Sequence, residues 1–457
     1  MAPSYKEVVE GARKVYAEGR TRPIAFRRQQ LQQYKKMLIN HKDEFLKALV
    51  SDLNKPQLEA VIFEVDFALK DVDFLLENLD RLAKTEEVKS VLPGDKSLLV
   101  REPYGVVLVM GAWNYPLQLS LIPAAGAIAA GNTVIIKPSE VSPATANAIA
   151  KYLPQYLDKD CYRVVLGGIP ETTELLKERF DYVFYTGSTT VGRIVREAAN
   201  KYLTPTTLEL GGKCPCYVDA TADLEMAVRR ILWGKMFNLG QTCIAPDYIL
   251  CPKAVQDAFI NKAKEVLKEW YGEDIKKSPY LCRIVAERHV DRLVNYLKDG
   301  KVVIGGRYDK ASKWVEPTVL VDVKENSGVM RDEVFGPILP IFNVNTPDEA
   351  ITFINKGEKP LAMYVFSNNK ADVDKFLERV SCGGVTVNDT LHHAANPNLP
   401  FGGVGYSGMG AYHGDQTFYT FTHIKPVLLR EYDQTQEMML SARYPPYTAD
   451  KIRILTS

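Results

Sequence analysis

Residues 181–202 read DYVFYTGSTTVGRIVREAANKY, and the fold turns on how they divide. Residues 181–186 are a short run rich in aromatic and β-branched side chains, the composition of a strand. Gly187-Ser188-Thr189-Thr190-Val191-Gly192 is a small-residue turn, and 193–202 carries helical spacing. A strand that enters a helix through such a turn presents unpaired helical amides and the positive end of a dipole, a context that favours phosphate. The spacing departs from G-x-G-x-x-G. Taken alone, these six residues also fit an ordinary strand-to-helix turn.

The same alternation extends to either side. Apolar runs at 105–110, 133–136, 162–166, 182–185 and 207–210 read as strands with helical stretches between them. This βαβα order predicts an α/β fold with a parallel sheet covered on both faces and a ligand crevice beyond the C-terminal strand ends. A second alternation runs from about 219 to 387, with a helix at 253–270 and strands near 302–304, 364–366 and 384–387. Residues 1 to about 84 show helical spacing and are expected to wrap the body. In 89–102, short apolar runs flank Pro93-Gly94-Asp95, the pattern of a hairpin.

Bulk properties exclude several classes. A chain of 457 residues exceeds one ordinary core, so two or three domains are expected. Fifty-seven basic against 56 acidic residues leave a charge of +1 and no footprint for nucleic acid. Seven cysteines without metal spacing fit a reducing compartment, and no metal site is expected. The N-terminal MAPSYKEVVEG has no apolar signal core, and the apolar stretch 117–130 is broken by Gln118, Ser120 and Pro123 and too short for a membrane span.

Of the seven cysteines, Cys243 in Gly240-Gln241-Thr242-Cys243-Ile244 reads as a reaction centre. A thiol is roughly a few per cent ionised at neutral pH and strongly nucleophilic as thiolate. The six histidines form no Cys-His signature, so carboxylates and amides are its expected partners. Glu209, in Leu208-Glu209-Leu210-Gly211-Gly212, and Glu333, in Glu333-Val334-Phe335-Gly336-Pro337, are carboxylates among apolar neighbours. Desolvation there raises a pKa toward a general base's; Glu333 is equally suited to holding a ribose. Asn114, in Gly111-Ala112-Trp113-Asn114-Tyr115-Pro116, is placed either to stabilise an oxyanion or to cap a helix. Lys137-Pro138-Ser139-Glu140 ends a strand beside the same crevice. Lys137 is then within reach of a ribose hydroxyl, and Glu140 of an adenosine ribose, which favours a free 2′-hydroxyl.

Together, Asn114, Lys137, Glu140, the 187–192 turn, Glu209, Cys243, Glu333 and Pro400-Phe401-Gly402-Gly403 resemble the aldehyde dehydrogenase superfamily in identity and order. The runs GAWNYP, GQTCIAPDY, EVFGPILPI, SGMGAYHG and RYPPY are similar to its class 3 branch, and the resemblance covers nearly the whole chain. It implies an aldehyde dehydrogenase-like fold with a Rossmann-type NAD(P)-binding domain (1–84 and 104–208), an α/β catalytic domain (209–410) and a small β bridging element with a tail (85–103 and 411–457), exchanged across a homodimer. It also implies NAD as cofactor with NADP accepted, Cys243 attack on an aldehyde, an oxyanion held by Asn114 and the Cys243 amide, and thioester hydrolysis by water that Glu209, the first choice, or Glu333 deprotonates. Gly187, Ser188, Val191 and Gly192, with Lys137 and Glu140, are the implied cofactor contacts, and Glu333 and Phe335 the implied holders of the nicotinamide ribose. Tyr115, Leu119, Trp233, Thr242 and Phe401 match the aldehyde tunnel, whose aromatic lining favours medium to long aliphatic or aromatic aldehydes. Leu391-His392-His393-Ala394-Ala395-Asn396-Pro397-Asn398 departs from class 3 sequences, and His413 carries no assigned chemistry. The fatty aldehyde branch often ends in a hydrophobic anchor, which residues up to Ser457 lack; the expectation is a cytoplasmic enzyme, membrane-associated if an anchor was removed. Acyl transfer to coenzyme A or phosphate, a non-catalytic lens-type protein and a cofactor-free thiol esterase are the competing readings; an intact Glu209, Cys243 and Asn114 speaks against the first two.

Overall fold

The structure, a computed structural model, describes residues 4–92 and 94–456. Helices Tyr5–Ala17, Ile24–Asn40, Lys42–Leu53 and Asp66–Ala83 come first, as the helical spacing predicts. Ser4 opens the first with a capping box closed by Glu7. The last is entered through a π-helical turn, Val61–Val65, a widened turn frequent at functional sites. Nothing in the apolar spacing announces it.

β1 (Glu86–Val88) and β2 (Lys96–Pro103) pair antiparallel, Glu86 opposite Leu99. The expected hairpin is present, but its first strand precedes the apolar run at 89–92. Glu86 and Glu87 are exposed, and a solvated ribbon strand needs no apolar alternation. Pro93 lies outside the described residues.

β3 (Val106–Met110), β4 (Thr133–Lys137), β5 (Tyr162–Val164), β6 (Tyr182–Thr186) and β7 (Thr206–Glu209) lie parallel in the order β7-β6-β3-β4-β5. All residues of β3, β4 and β6 are buried, which is why they read as unbroken apolar runs: both faces are covered. Helix Gln118–Ala130 covers one face, buried almost all round, and packs so closely that a Cβ at Gly126 would come within 2.2 Å of the Thr417 carbonyl oxygen. From β3 the chain steps one way to β4 and β5, then returns to β6 on the other side. The loops after β3 and β6 therefore diverge and open a crevice at the switch point.

The second sheet takes β8 (Pro215–Val218), β9 (Tyr248–Cys251), β10 (Lys301–Ile304), β13 (Thr318–Val321), β14 (Ile338–Asn343), β15 (Ala362–Phe366) and β16 (Gly384–Val387) in the order β10-β13-β14-β9-β8-β15-β16. Only β10 runs antiparallel. A short ribbon, β11 (Tyr308–Asp309) with β12 (Trp314–Val315), lies apart. The chain then returns to the first sheet: β17 (Gly408–Met409) adds an antiparallel edge to β7. β18 (Thr422–Leu429) lies along β2 from Thr422 opposite Pro103 to Leu429 opposite Lys96.

Two boundaries shift near the site. The helix expected at 193–202 is Thr189–Asn200, because Ser188 caps it and accepts from the Val191 amide. Val191 and Gly192 thus lie inside the helix, not in the turn. A Cβ at Gly192 would sit 2.6 Å from Leu210 Cδ2, so this glycine serves helix–strand packing. Among the described residues no helix is long and apolar enough to cross a membrane.

Candidate active site

Two cavities meet at a wall of two residues. One, of about 390 Å³, opens at the switch point of the first sheet and is lined by Gly187, Ser188, Glu209, Glu333 and Phe335 among others. The second, of about 80 Å³, is apolar and holds Tyr115, Leu119, Thr242 and Phe401. Asn114 and Cys243 alone line both.

Cys243 does not follow a strand, as the crevice argument anticipated for the motifs; it lies in the loop entering β9. Asn238, Leu239 and Gly240 just before it are left-handed, with φ of 49°, 54° and 74°. Such backbone costs about 1–2 kcal/mol per non-glycine residue and persists only where the surroundings over-determine it. Here they do. Asn238 donates from its side chain to the carbonyls of Asn114 (2.9 Å) and Gln241 (3.0 Å), and Glu59 accepts from its amide at 2.9 Å. Asn114 Nδ2 in turn donates to the Gln241 carbonyl at 3.1 Å. Asn114 caps no helix: the helix ahead begins at Gln118.

Beneath Asn114 lies a fully buried ion pair. Lys55 Nζ donates to Glu64 Oε1 at 2.7 Å and to the Asn114 carbonyl at 3.0 Å, and sits 4.0 Å from the centre of the Tyr115 ring. Glu64 Oε2 accepts from the Gln118 amide. The π-helical turn supplies Glu64 to this pair and Phe63 to the apolar cavity. Removing one partner of a buried pair leaves the other charge uncompensated, at about 3–5 kcal/mol. Lys55→Met is therefore expected to lower stability by about that amount, read from the urea unfolding midpoint.

Burial sets the protonation states. It pushes the Cys243 thiol well up, and the neighbouring Glu333 and Glu209 add to this. Both Glu209 oxygens are buried without a hydrogen-bond partner, and burial raises this carboxyl well above the ordinary range. Glu333 is pushed up to about 8, by burial first and by Asp247 second. Its carboxylate lies over the Gly211 backbone, where a Cβ would come within 2.2 Å of Oε2. Arg292 holds the carbonyls of Val334 (2.6 Å) and Phe335 (3.3 Å). Behind this segment Asp247 takes Lys213 at 2.5 Å, while Lys235, fully buried with no hydrogen bond, is brought down to about 8.

The polar cavity fits a dinucleotide's nicotinamide end. Thr186 Oγ1 and the Glu209 carboxylate are buried polar atoms left without partners, and both residues line it. Trp113 meets Phe335 edge-on at 5.3 Å across it. Lys137 and Glu140 stand at the strand end as read from sequence, but they bond each other at 2.7 Å.

The profile of the aldehyde dehydrogenase family matches residues 2–427. The chain belongs to the aldehyde dehydrogenase family. Aldehyde dehydrogenase family 3 member A2 of Mus musculus is 52% identical over 442 residues, covering 96% of this chain and 91% of that protein. The dimeric NADP-preferring aldehyde dehydrogenase of Canis lupus familiaris is 48% identical, covering 98% and 99%. Among solved structures, Staphylococcus aureus AldH in its substrate-bound state superposes with a TM-score of 0.96 at 41% identity, covering 100% of this chain and 99% of that one.

Within this aldehyde dehydrogenase, Tyr115 and Thr242 bond each other through their hydroxyls at 2.7 Å. Trp233 does not line the apolar cavity; it stacks on His392 at 5.6 Å, beside Phe237. Phe63, Phe67, Phe237, Tyr412 and His413 do line it and were not singled out in the sequence as cavity wall. Helical spacing over 1–84 marks the first two as core only. Lys55, Glu59 and Glu64 carried no sequence signal either, since an ion pair nine residues apart reads as a solvated face.

Proposed function

We propose that the enzyme oxidises medium to long aliphatic or aromatic aldehydes to carboxylic acids with NAD, accepting NADP as well. The observation that supports this best is the shared wall: a thiol and a side-chain amide stand between an apolar cavity and a polar one. Cys243 attacks the carbonyl, and Asn114 Nδ2 with the Cys243 amide stabilises the oxyanion, an effect typically worth about 10²–10³ in rate. A bound nicotinamide would supply the hydride acceptor. Glu209 deprotonates the water that hydrolyses the thioester; Glu333 with Phe335 would hold the cofactor's ribose, and Glu333 is the alternative base. The proposed division assigns 1–84 and 104–208 to nucleotide binding, 209–410 to catalysis, and 85–103 with 411–457 to bridging. Exposed Ile424, Leu428 and Leu429 on β18 suit exchange across a homodimer; the dog relative is named as dimeric. Seven unpaired thiols suit the cytoplasm.

The test is absorbance of reduced nicotinamide with NAD and then NADP over short, long-chain and aromatic aldehydes. Turnover that rises with chain length is expected; silence on every aldehyde, with nucleotide still bound, would overturn the reading. Glu140→Gln, which removes the carboxylate beside a 2′-phosphate, is expected to shift the ratio of kcat/KM toward NADP by about tenfold.

A further inference from the structure

Beside the aldehyde cavity lies a chamber of about 200 Å³. The two share Phe63, Phe67, Ala394, Ala395 and His413 as walls. Ala394 and Ala395 place only methyl groups at this junction. The chamber's far wall is one face of helix Asp66–Ala83: Phe67, Lys70, Asp71 and Phe74 recur at helical spacing.

Two residues that line this chamber, Asp71 and His413, each carry a buried polar atom without a hydrogen-bond partner, although the His413 ring also meets the Ala394 backbone. Asp71 Oδ2 and His413 Nε2 are both shielded from solvent and both without a hydrogen-bond partner. His413 is 8% exposed, stacks on Phe401 at 5.2 Å and holds a left-handed φ of 74°. Burial keeps its imidazole neutral, at about 4, and lifts the Asp71 carboxyl to about 7. Buried polar groups are nearly always paired, so two side chains with unpaired atoms on the wall of one chamber mark a place where a polar ligand group would find partners.

We propose that the aldehyde cavity continues past Ala394 and Ala395 into this chamber, and that the enzyme prefers aldehydes bearing a hydroxyl at the end remote from the carbonyl. The hydroxyl donates to Asp71, with His413 Nε2 the second polar group on its path. The apolar walls take the intervening chain. This rests on the dehydrogenase reading above.

The experiment compares kcat/KM for ω-hydroxyalkanals and plain alkanals of equal length, over a length series. A preference of about tenfold or more for the hydroxylated member is expected to appear at a defined length. Asp71→Leu should erase that preference and leave propanal turnover at the wild-type rate; replacing an unpaired buried carboxyl by an apolar side chain leaves the fold intact. Ala394→Ile, which fills the junction, should shorten the longest chain accepted. Equal kcat/KM for both members at every length, or a preference that survives in Asp71→Leu, overturns the proposal. Failure of the wild type on propanal itself would instead remove the dehydrogenase reading, and this one with it.

Discussion

Replacing Cys243 by alanine is expected to lower aldehyde oxidation by about four orders of magnitude or more, the scale on which removal of a covalent nucleophile is felt. No other cysteine can stand in. Cys161, Cys214, Cys216, Cys251 and Cys282 are buried, and Cys382 lines neither cavity of the site. Any ester hydrolysis should disappear with the oxidation, while nucleotide binding, which draws on the other wall of the polar cavity, should persist in a fluorescence titration. Retained turnover would remove the assignment of the nucleophile.

Glu209→Gln should separate the two halves of the reaction. The amide keeps the shape of the side chain but cannot take a proton, so one equivalent of reduced cofactor forms at a near wild-type rate and hydrolysis then falls by about 10²–10⁴-fold, the usual contribution of a general base. Stopped-flow absorbance would show this as a burst. The pH dependence distinguishes the two carboxylates. Burial raises both, so each is neutral at low pH and gains base character as pH rises through its pKa. With Glu209 as base, hydrolysis in the wild type climbs with pH and the Glu209→Gln variant is flat. With Glu333 as base, the climb centres near its value of about 8 and survives in the variant.

The parallel first sheet was legible because β3, β4 and β6 are covered on both faces and so appear as unbroken apolar runs. Glycine at 187 and serine at 188 announced the helix entry, though not that the cap falls at Ser188 and carries Val191 and Gly192 into the helix. Cys243, Asn114 and Glu209 stood out through short-range patterns that are weak singly and through their joint resemblance to a known family; that all three line one cavity is what the structure adds. What escaped depends on long-range meeting. Lys55 and Glu64 look like surface residues until the π-helical turn aims Glu64 inward. Asp71 and His413 are 342 positions apart, and no local pattern says that they face one chamber. The left-handed run at Asn238 and Leu239 was equally hidden, since its cause is the hydrogen bonding of Asn114 and Glu59 from distant segments.

β17 completes the first sheet with two residues that arrive about 200 positions after β7, Gly408 pairing with Glu209 itself. During synthesis, β7 is therefore an open sheet edge for the time it takes to make the whole second sheet. Unpaired edges template association with other chains, and long-range closures of this kind are slow. Until those two residues are made, the strand that carries Glu209 has no partner on that side, and its backbone gains its last sheet neighbour only after the second sheet has been synthesised.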